Sequence, residues 1–283
     1  WMANYPIGIT IRNNRFSSYK WIKHSIGNKQ SLINDQVNSI IEDSDGDLWF
    51  GTNNGISLLE SKTGKWSSFL SSFETVQKSR NHIFTTLCEV SPGIIWAGGY
   101  SSGIYEINKK TLSIEYFTPS SYSHENIRPD KYMRDIHKDV DGNIWAGGYY
   151  NLKRIDLHTR ELRLYKGLNS ITVITEKNEK EMWIGSANGL YLLDKESGRF
   201  ERIQLPVEST YIYSLYQAQN GSLYIGTSGS GLLIYDPDKK LFTRYYTDNC
   251  ALISNNIYTI LSDDDNDILL ATENGLTSFY PKQ

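Results

Sequence analysis

A repeat that returns every 38 to 49 residues, strand-like segments inside each copy, and a turn dipeptide at one place in most copies predict an all-β fold, a β-propeller of four-stranded blades. Seven copies are counted. Seven blades are the first expectation; six, closed by a composite blade, are the second. Helical repeats of similar length would need apolar residues at 3.6-residue spacing, and that periodicity is missing.

Each copy is anchored on one large side chain: Trp1, Trp49, Trp96, Trp145, Trp183, Tyr224 and, in a worn seventh copy, Leu269. The aromatic anchors are expected to be structural, packed between neighbouring blades where a flat side chain removes much apolar area from water. The clearest copy starts with an inner strand near Val37-Asn38-Ser39-Ile40-Ile41. The turn Asp45-Gly46 follows, then a second strand with Trp49 that ends at Gly51-Thr52. A third strand begins at Gly55-Ile56, and outer strands such as Phe200-Glu201-Arg202-Ile203 or Leu241-Phe242-Thr243-Arg244-Tyr245 complete the unit. Asp-Gly and Asn-Gly are strong hairpin signals because their central residues accept positive φ. One such unit cannot bury both faces, so neighbours must stack. The first copy lacks its inner strand and the seventh stops after its third. Trp1 is not a start residue. Residues 1–283 are therefore expected to form a single propeller, incomplete at both ends and part of a longer chain.

The composition fits a globular all-β protein, with 39% hydrophobic, 22% charged and 13% aromatic residues, 20 of them Tyr. A net charge of −3 provides no basic field for nucleic acid, which is not expected as a partner. Cys88 and Cys250 are too few and too far apart for a disulfide framework. No apolar run reaches the length of a membrane span.

The pattern Asp-x-x-Gly-x-Leu-Trp-x-Gly-Thr, then Gly-Leu-x-x-Tyr-Asp, then Phe-x-x-Tyr resembles the two-component regulator propeller repeat. It is clearest in Asn34 to Leu59, Glu181 to Asp194 and Gly221 to Asp236. The resemblance implies the extracytoplasmic sensor of a hybrid two-component histidine kinase, in the periplasm and tied to the inner membrane. It implies an oligosaccharide ligand, a second propeller and a membrane-linked kinase in the full chain, and a homodimer. Of that assembly this sequence matches one propeller, so no catalysis and no cofactor are expected in it. The departures from the pattern are Tyr224 and Leu269 in the Trp position and Tyr149-Tyr150-Asn151 where a Gly opens the third strand.

Two other function classes compete. His137 and His158 lie near Glu161 in repeats resembling those of streptogramin lyase, which gives an enzyme alternative. A protein–protein scaffold is the other. No His lies at metal-ligand spacing from another His or Cys. Asp43-Ser44-Asp45-Gly46-Asp47 and Asp263-Asp264-Asp265-Asn266-Asp267 resemble the start of a calcium loop, but strands flank them and Asn54 stands where the last ligand would be, so an acidic hairpin turn is the expectation. The glycine-rich run 226–231 joins two strands and opens no helix, so no phosphate site is expected there.

The ligand is expected where the outer strand of one blade returns to the inner strand of the next. The residues entering the inner strands vary: Gln36 and Asn38, His82 and Phe84, Tyr132 and Arg134, Ser170 and Thr172, Tyr211 and Tyr213, Asn256 and Tyr258. Aromatic faces stack on sugar C–H surfaces, and Arg, His and Asn supply directional hydrogen bonds. The candidate ligand residues are His82, Phe84, Tyr132, Arg134, Tyr211, Tyr213 and Tyr258. Tyr100, Tyr149 and Tyr150, in the corners between second and third strands, join them more weakly. The competing view is that these tyrosines are packed rim residues.

Overall fold

A computed structural model describes residues 2–4, 8–12, 19–71, 82–120, 131–262 and 267–280, with side chains from residue 22 onward. Trp1, His124 and the run 263–266 lie outside the described residues. All regular structure among the described residues is β-strand.

The strands form antiparallel sheets in which chain neighbours pair in order. Blade 2 consists of Val37–Glu42, Leu48–Thr52, Gly55–Leu59 and Trp66–Phe69. Blade 3 consists of Phe84–Ser91, Ile94–Gly99, Gly103–Asn108 and Ser113–Tyr116. Blade 4 consists of Met133–Lys138, Ile144–Gly148, Leu152–Ile155 and Leu162–Tyr165. Blade 5 consists of Ile171–Glu176, Glu181–Ser186, Gly189–Asp194 and Phe200–Ile203. Blade 6 consists of Ile212–Gln217, Leu223–Thr227, Leu232–Asp236 and Leu241–Tyr245. Blade 7 has three strands, Ile257–Ser262, Ile268–Thr272 and Gly275–Phe279.

The first expectation, seven blades, is corrected to the second, six. Repeat one forms a three-stranded sheet of Met2–Asn4, Gly8–Arg12 and Tyr19–Ile22, equivalent to the second, third and outer strands alone. Among the described residues it shows three strands and no inner one, so it is not counted as a full blade.

Contacts divide the chain into two compact units, residues 1–138, 142–149 and 153–163, and residues 139–141, 150–152 and 164–283. In the first unit, one core packs Trp49, Ile56, Leu58 and Phe69 against Phe84, Leu87, Ile95 and Ile107. A second packs Val90, Trp96, Ile104 and Phe117 against Met133, Ile136, Ile144 and Ile155. In the second unit, Trp183, Leu190 and Leu205 meet Ile212, Leu215, Ile225 and Leu233, and Tyr224 and Leu232 meet Ile257, Ile260 and Leu270. Each core is therefore a layer between consecutive sheets, as expected for units that cannot bury both faces alone.

Trp49, Trp96, Trp183 and Tyr224 sit in these layers. Trp49, Trp96, Trp145, Trp183 and Tyr224 are all at most 3% exposed. Their inner-strand partners are Ile41, Cys88, His137, Thr175 and Tyr216, the same register in every blade. A buried indole N–H needs an acceptor. Trp49 donates to Asp43 at 2.8 Å, Trp96 to Glu106 at 2.9 Å and Trp183 to Gln217 at 2.7 Å.

The corner between second and third strands explains the Gly-Thr-x-x-Gly pattern. The Thr52 hydroxyl donates to the Gly55 carbonyl and accepts from the Asn54 N–H. Ser186 and Thr227 repeat both bonds, and Thr272 repeats the first. At Gly55, φ is +102° and an added Cβ would lie 2.7 Å from the Phe69 carbonyl oxygen, so only glycine fits. The departure at Tyr149-Tyr150-Asn151 is absorbed by Asn151, which takes φ +44° in place of the glycine, a conformation Asn tolerates better than most residues.

Candidate functional site

In every blade the chain entering the inner strand is tied to the corner between the second and third strands. The backbone N–H groups of Asn53, Tyr100, Tyr149, Ala187, Ser228 and Glu273 donate to the carbonyls of Gln36, Ile83, Tyr132, Ser170, Tyr211 and Asn256. The two sets of loop residues singled out from the sequence therefore lie together at one end of each blade.

Every inner strand also carries a β-bulge at one place. The register shifts between Val37 and Ser39, Phe84 and Thr86, Met133 and Asp135, Ile171 and Val173, Ile212 and Ser214, and Ile257 and Thr259. The extra residues are Asn38, Thr85, Arg134, Thr172, Tyr213 and Tyr258. A bulge leaves its extra residue outside the ladder and re-aims its side chain. Three of the six hold neighbouring inner strands together. Asn38 donates to the Phe84 carbonyl at 3.0 Å, Thr85 to Met133 at 2.5 Å and Thr172 to Ile212 at 2.6 Å. Variation at this position thus conceals two roles. Small polar residues bridge blades, and larger ones project.

In the first unit Tyr132, Tyr100 and Tyr149 form one aromatic group. Tyr100 and Tyr132 meet edge to face at 5.0 Å, and Tyr132 and Tyr149 lie 6.1 Å apart. Their exposures are 37% for Tyr132, 43% for Tyr100 and 58% for Tyr149. The signal in the sequence is a duplicated pentapeptide, Trp96-Ala97-Gly98-Gly99-Tyr100 and Trp145-Ala146-Gly147-Gly148-Tyr149, whose second Gly replaces the corner hydroxyl. At Gly148 an added Cβ would run into the Tyr132 carbonyl, so glycine is required for this approach. Arg134 is exposed, and its guanidinium makes no hydrogen bond or ion pair among the described residues.

In the second unit Tyr211, Tyr213 and Tyr258 form a line, with ring centroids 4.9 Å and 5.0 Å apart. Tyr213 and Tyr258 are both bulge residues, and no phenol hydroxyl of the three has a hydrogen-bond partner among the described residues. Burial, then the nearby Glu273 carboxylate and Tyr213, raise the Tyr258 pKa, so it remains a neutral donor at physiological pH. Tyr150, in this unit, is exposed.

Two candidates are corrected. Phe84 is 1% exposed and packs edge-on against Tyr105, so it belongs to the core. His82 is half-buried, its Nδ1 lies 2.8 Å from the Leu70 carbonyl, and its own carbonyl accepts from Gly55 N–H. It braces the corner. The histidines of the enzyme alternative do not converge. His137 pairs with Trp145 on an inner strand, while His158 is exposed in the turn after the third strand, its N–H bonded to Asp156. The inner and third strands lie about 10 Å apart, and His158 falls beyond the end of the third strand, past Arg154, the residue in register with His137.

The acidic turn at Asp43–Asp47 holds an ammonium. Lys109 Nζ lies 2.6 Å from Asp43, 2.9 Å from Asp45 and 2.7 Å from Asp47. Burial alone would raise the Asp43 pKa, but hydrogen bonds from Lys109, the Trp49 indole and two backbone amides hold it below the usual carboxylate value. The three carboxylates could group around a metal ion, but the lysine occupies that position. The second unit repeats the device. Lys195 Nζ lies 2.5 Å from Glu176, 3.4 Å from Asp139 and 3.8 Å from Asp141. Both lysines directly follow the Asn or Asp that ends a third strand, Asn108 and Asp194, a regularity present in the sequence and missed there.

Residues 31–54 and 206–229 match the family model of the two component regulator propeller. Those two segments carry the two-component regulator propeller repeat. Histidine kinase P4 of Formosa agariphila is 25% identical over 257 residues, which cover 84% of this chain and 18% of that protein. The propeller is also similar to the extracellular domain assigned to a hybrid two-component system of B. thetaiotaomicron, with TM-score 0.60, 20% identity, and coverage of 99% of this chain and 43% of that one. Virginiamycin B lyase of Staphylococcus aureus gives TM-score 0.67 and 18% identity over 88% of this chain and 85% of that one. At such identities the solved structures speak for the fold alone. The chain spans under a fifth of the kinase and under half of the extracellular domain. No helix among the described residues is long and apolar enough to cross a membrane.

Proposed function

We propose that this chain is the ligand-sensing propeller of a hybrid two-component sensor kinase, and that it recognises an oligosaccharide at the end of the blades where the bulges project. The observation that carries the reading is that each unit sets a tyrosine group on its bulges and corner bonds, exposed in the first unit and half-buried to exposed in the second. Tyrosine rings offer flat apolar faces, and Tyr211, Tyr213 and Tyr258 offer hydroxyls without a partner among the described residues. In this reading the propeller lies in the periplasm, shares its ligand with a second propeller, works as a homodimer, and leaves phosphoryl chemistry to a membrane-linked kinase elsewhere in the full protein. The relatives named above support the assignment to a sensor.

Calorimetry of the intact protein against a panel of oligosaccharides tests it. Tyr213→Ala and Tyr132→Ala should each weaken binding about tenfold or more, since aromatic contacts of this size contribute one to a few kcal/mol. Melting temperature should change little. Unchanged affinity in both variants, with a ligand demonstrably bound, returns these tyrosines to a packing role. The likeness to virginiamycin B lyase favours a second reading, an enzyme acting on a streptogramin-type lactone. Lactone cleavage by the purified chain, abolished in His137→Ala, would put that reading first.

A further inference from the structure

We propose that the ligand carries an anionic group, a carboxylate or a sulfate ester, and that Arg134 is the residue that reads it. This deepens the oligosaccharide reading and rests on it. The argument begins with the bulge. At the equivalent position Asn38, Thr85 and Thr172 each donate a hydrogen bond to the inner strand of the next blade. Tyr213 and Tyr258 pack on each other. Arg134 is the only cation of the set, and nothing among the described residues accepts from it. A long side chain presented on an inner strand at a bulge, with five donors in a rigid fork, suits a planar or tetrahedral oxyanion that arrives with the ligand.

The surroundings fit. Arg134 lies two residues along the chain from Tyr132, which at about 3.3 Å per residue is roughly one sugar ring away. Tyr132 carries the exposed group with Tyr100 and Tyr149. A saccharide ring on these faces would put a charged substituent within reach of the guanidinium. The chain as a whole is slightly acidic, with net charge −3, so no general attraction for anions assists. Recognition of a negative group must be local, and Arg134 is the cation set on the inner strand at that end of blade 4, with the exposed Lys131 beside Tyr132 as its neighbour.

Calorimetry of the intact protein with three probes of equal length tests this: a galacturonate oligosaccharide, a sulfated galactose oligosaccharide and a neutral galactose oligosaccharide. The expected result is at least tenfold tighter binding of one acidic probe than of the neutral one, with the better acid telling carboxylate from sulfate. Arg134→Ala should erase that preference without weakening the neutral probe more than about twofold, and Arg134→Lys should restore part of it. Raising salt from 50 to 200 mM should weaken acidic binding in the parent and not in Arg134→Ala, since screening acts on the charge contact. The Arg134 side chain is exposed and makes no hydrogen bond or ion pair among the described residues, so both variants should keep the parent melting temperature. Neutral and acidic probes binding alike, or Arg134→Ala weakening both equally, overturns the anionic assignment and leaves the oligosaccharide reading intact. If none of these probes binds, nor any member of a broad oligosaccharide panel, both fall together.

Discussion

Replacing Lys109 with Met leaves three carboxylates facing one another without their counter-charge. Side-chain exposure is 15% for Lys109, 0% for Asp43 and 11% for Asp47, while Asp45 is 64% exposed. Removing one partner of a buried ion pair typically costs about 3–5 kcal/mol, because the other charge stays buried. Two features place this case at the lower end. Asp43 keeps hydrogen bonds from the Trp49 indole and from the Asp45 and Asp47 amides, and Asp47 keeps two from Ser61. Asp45 reaches solvent and contributes little. The expected loss is about 3 kcal/mol, a fall in melting temperature of roughly 6–12 °C for a chain of this size. The pH dependence follows from the signs. The Asp43 and Asp47 pKa values are depressed in the folded chain, so their contribution is present above the unfolded value near 3.8 and fades as pH falls through the lowered values. The Lys109 pKa is raised, so its contribution is complete below 10.5 and fades only as pH rises through the raised value. Thermal melts of parent and Lys109→Met between pH 3 and 8 should therefore show a wide, flat gap near neutrality that narrows in acid. Lys195→Met offers a replicate, since Lys195 is 8% exposed and Asp139 fully buried. A loss under about 1 kcal/mol, or a gap indifferent to acid, would mean that the ammonium is solvated and the geometry of the turn arises without it.

Trp145→Ala should cost about 3–5 kcal/mol in denaturant unfolding, because Trp145 is fully buried and its truncation leaves a void; an unchanged midpoint with lost ligand binding would move the residue from the frame to the site. Cys88 has its thiol pKa pushed up to about 11 by burial and then by Asp135. Alkylation of Cys88 at pH 8, followed by mass spectrometry, should therefore run about a hundredfold slower than for an ordinary thiol, and rapid labelling would show that the blade opens.

Much of this molecule was legible because its signals are short. Asp45-Gly46, Trp49, Gly51-Thr52 and Gly55 lie within a dozen residues, and each states a local need: a turn with positive φ, a buried flat ring, a close approach, a corner only glycine fits. The relation of the inner-strand entries to the corner tyrosines also followed from repeat position alone. The roles within that set did not. Phe84 and Tyr132 enter equivalent strands, yet one is core and the other exposed, because they are not equivalent positions: Phe84 aligns with Met133, Ile171, Ile212 and Ile257, all buried just before the bulge, while Tyr132 aligns with Ile83. Asn38 and Thr172 read as variable polar residues until the bulge turned them onto the next blade.

The sequence by itself determined the all-β class, the blade as the repeating unit, the buried aromatic anchors and the end of the blade that carries variable side chains. Periodicity and turn chemistry operate over a few residues and survive without knowledge of any contact. Tertiary structure alone decided the blade count, the bulges and the partners across sheets. Lys109 meets Asp43 across 66 residues, and Thr172 meets Ile212 across 40. Such pairs form only after the strands have stacked in register. What selects them is the cost of leaving a charge or polar group unpaired once the stacked sheets take it out of water, at a shared boundary that no single repeat possesses.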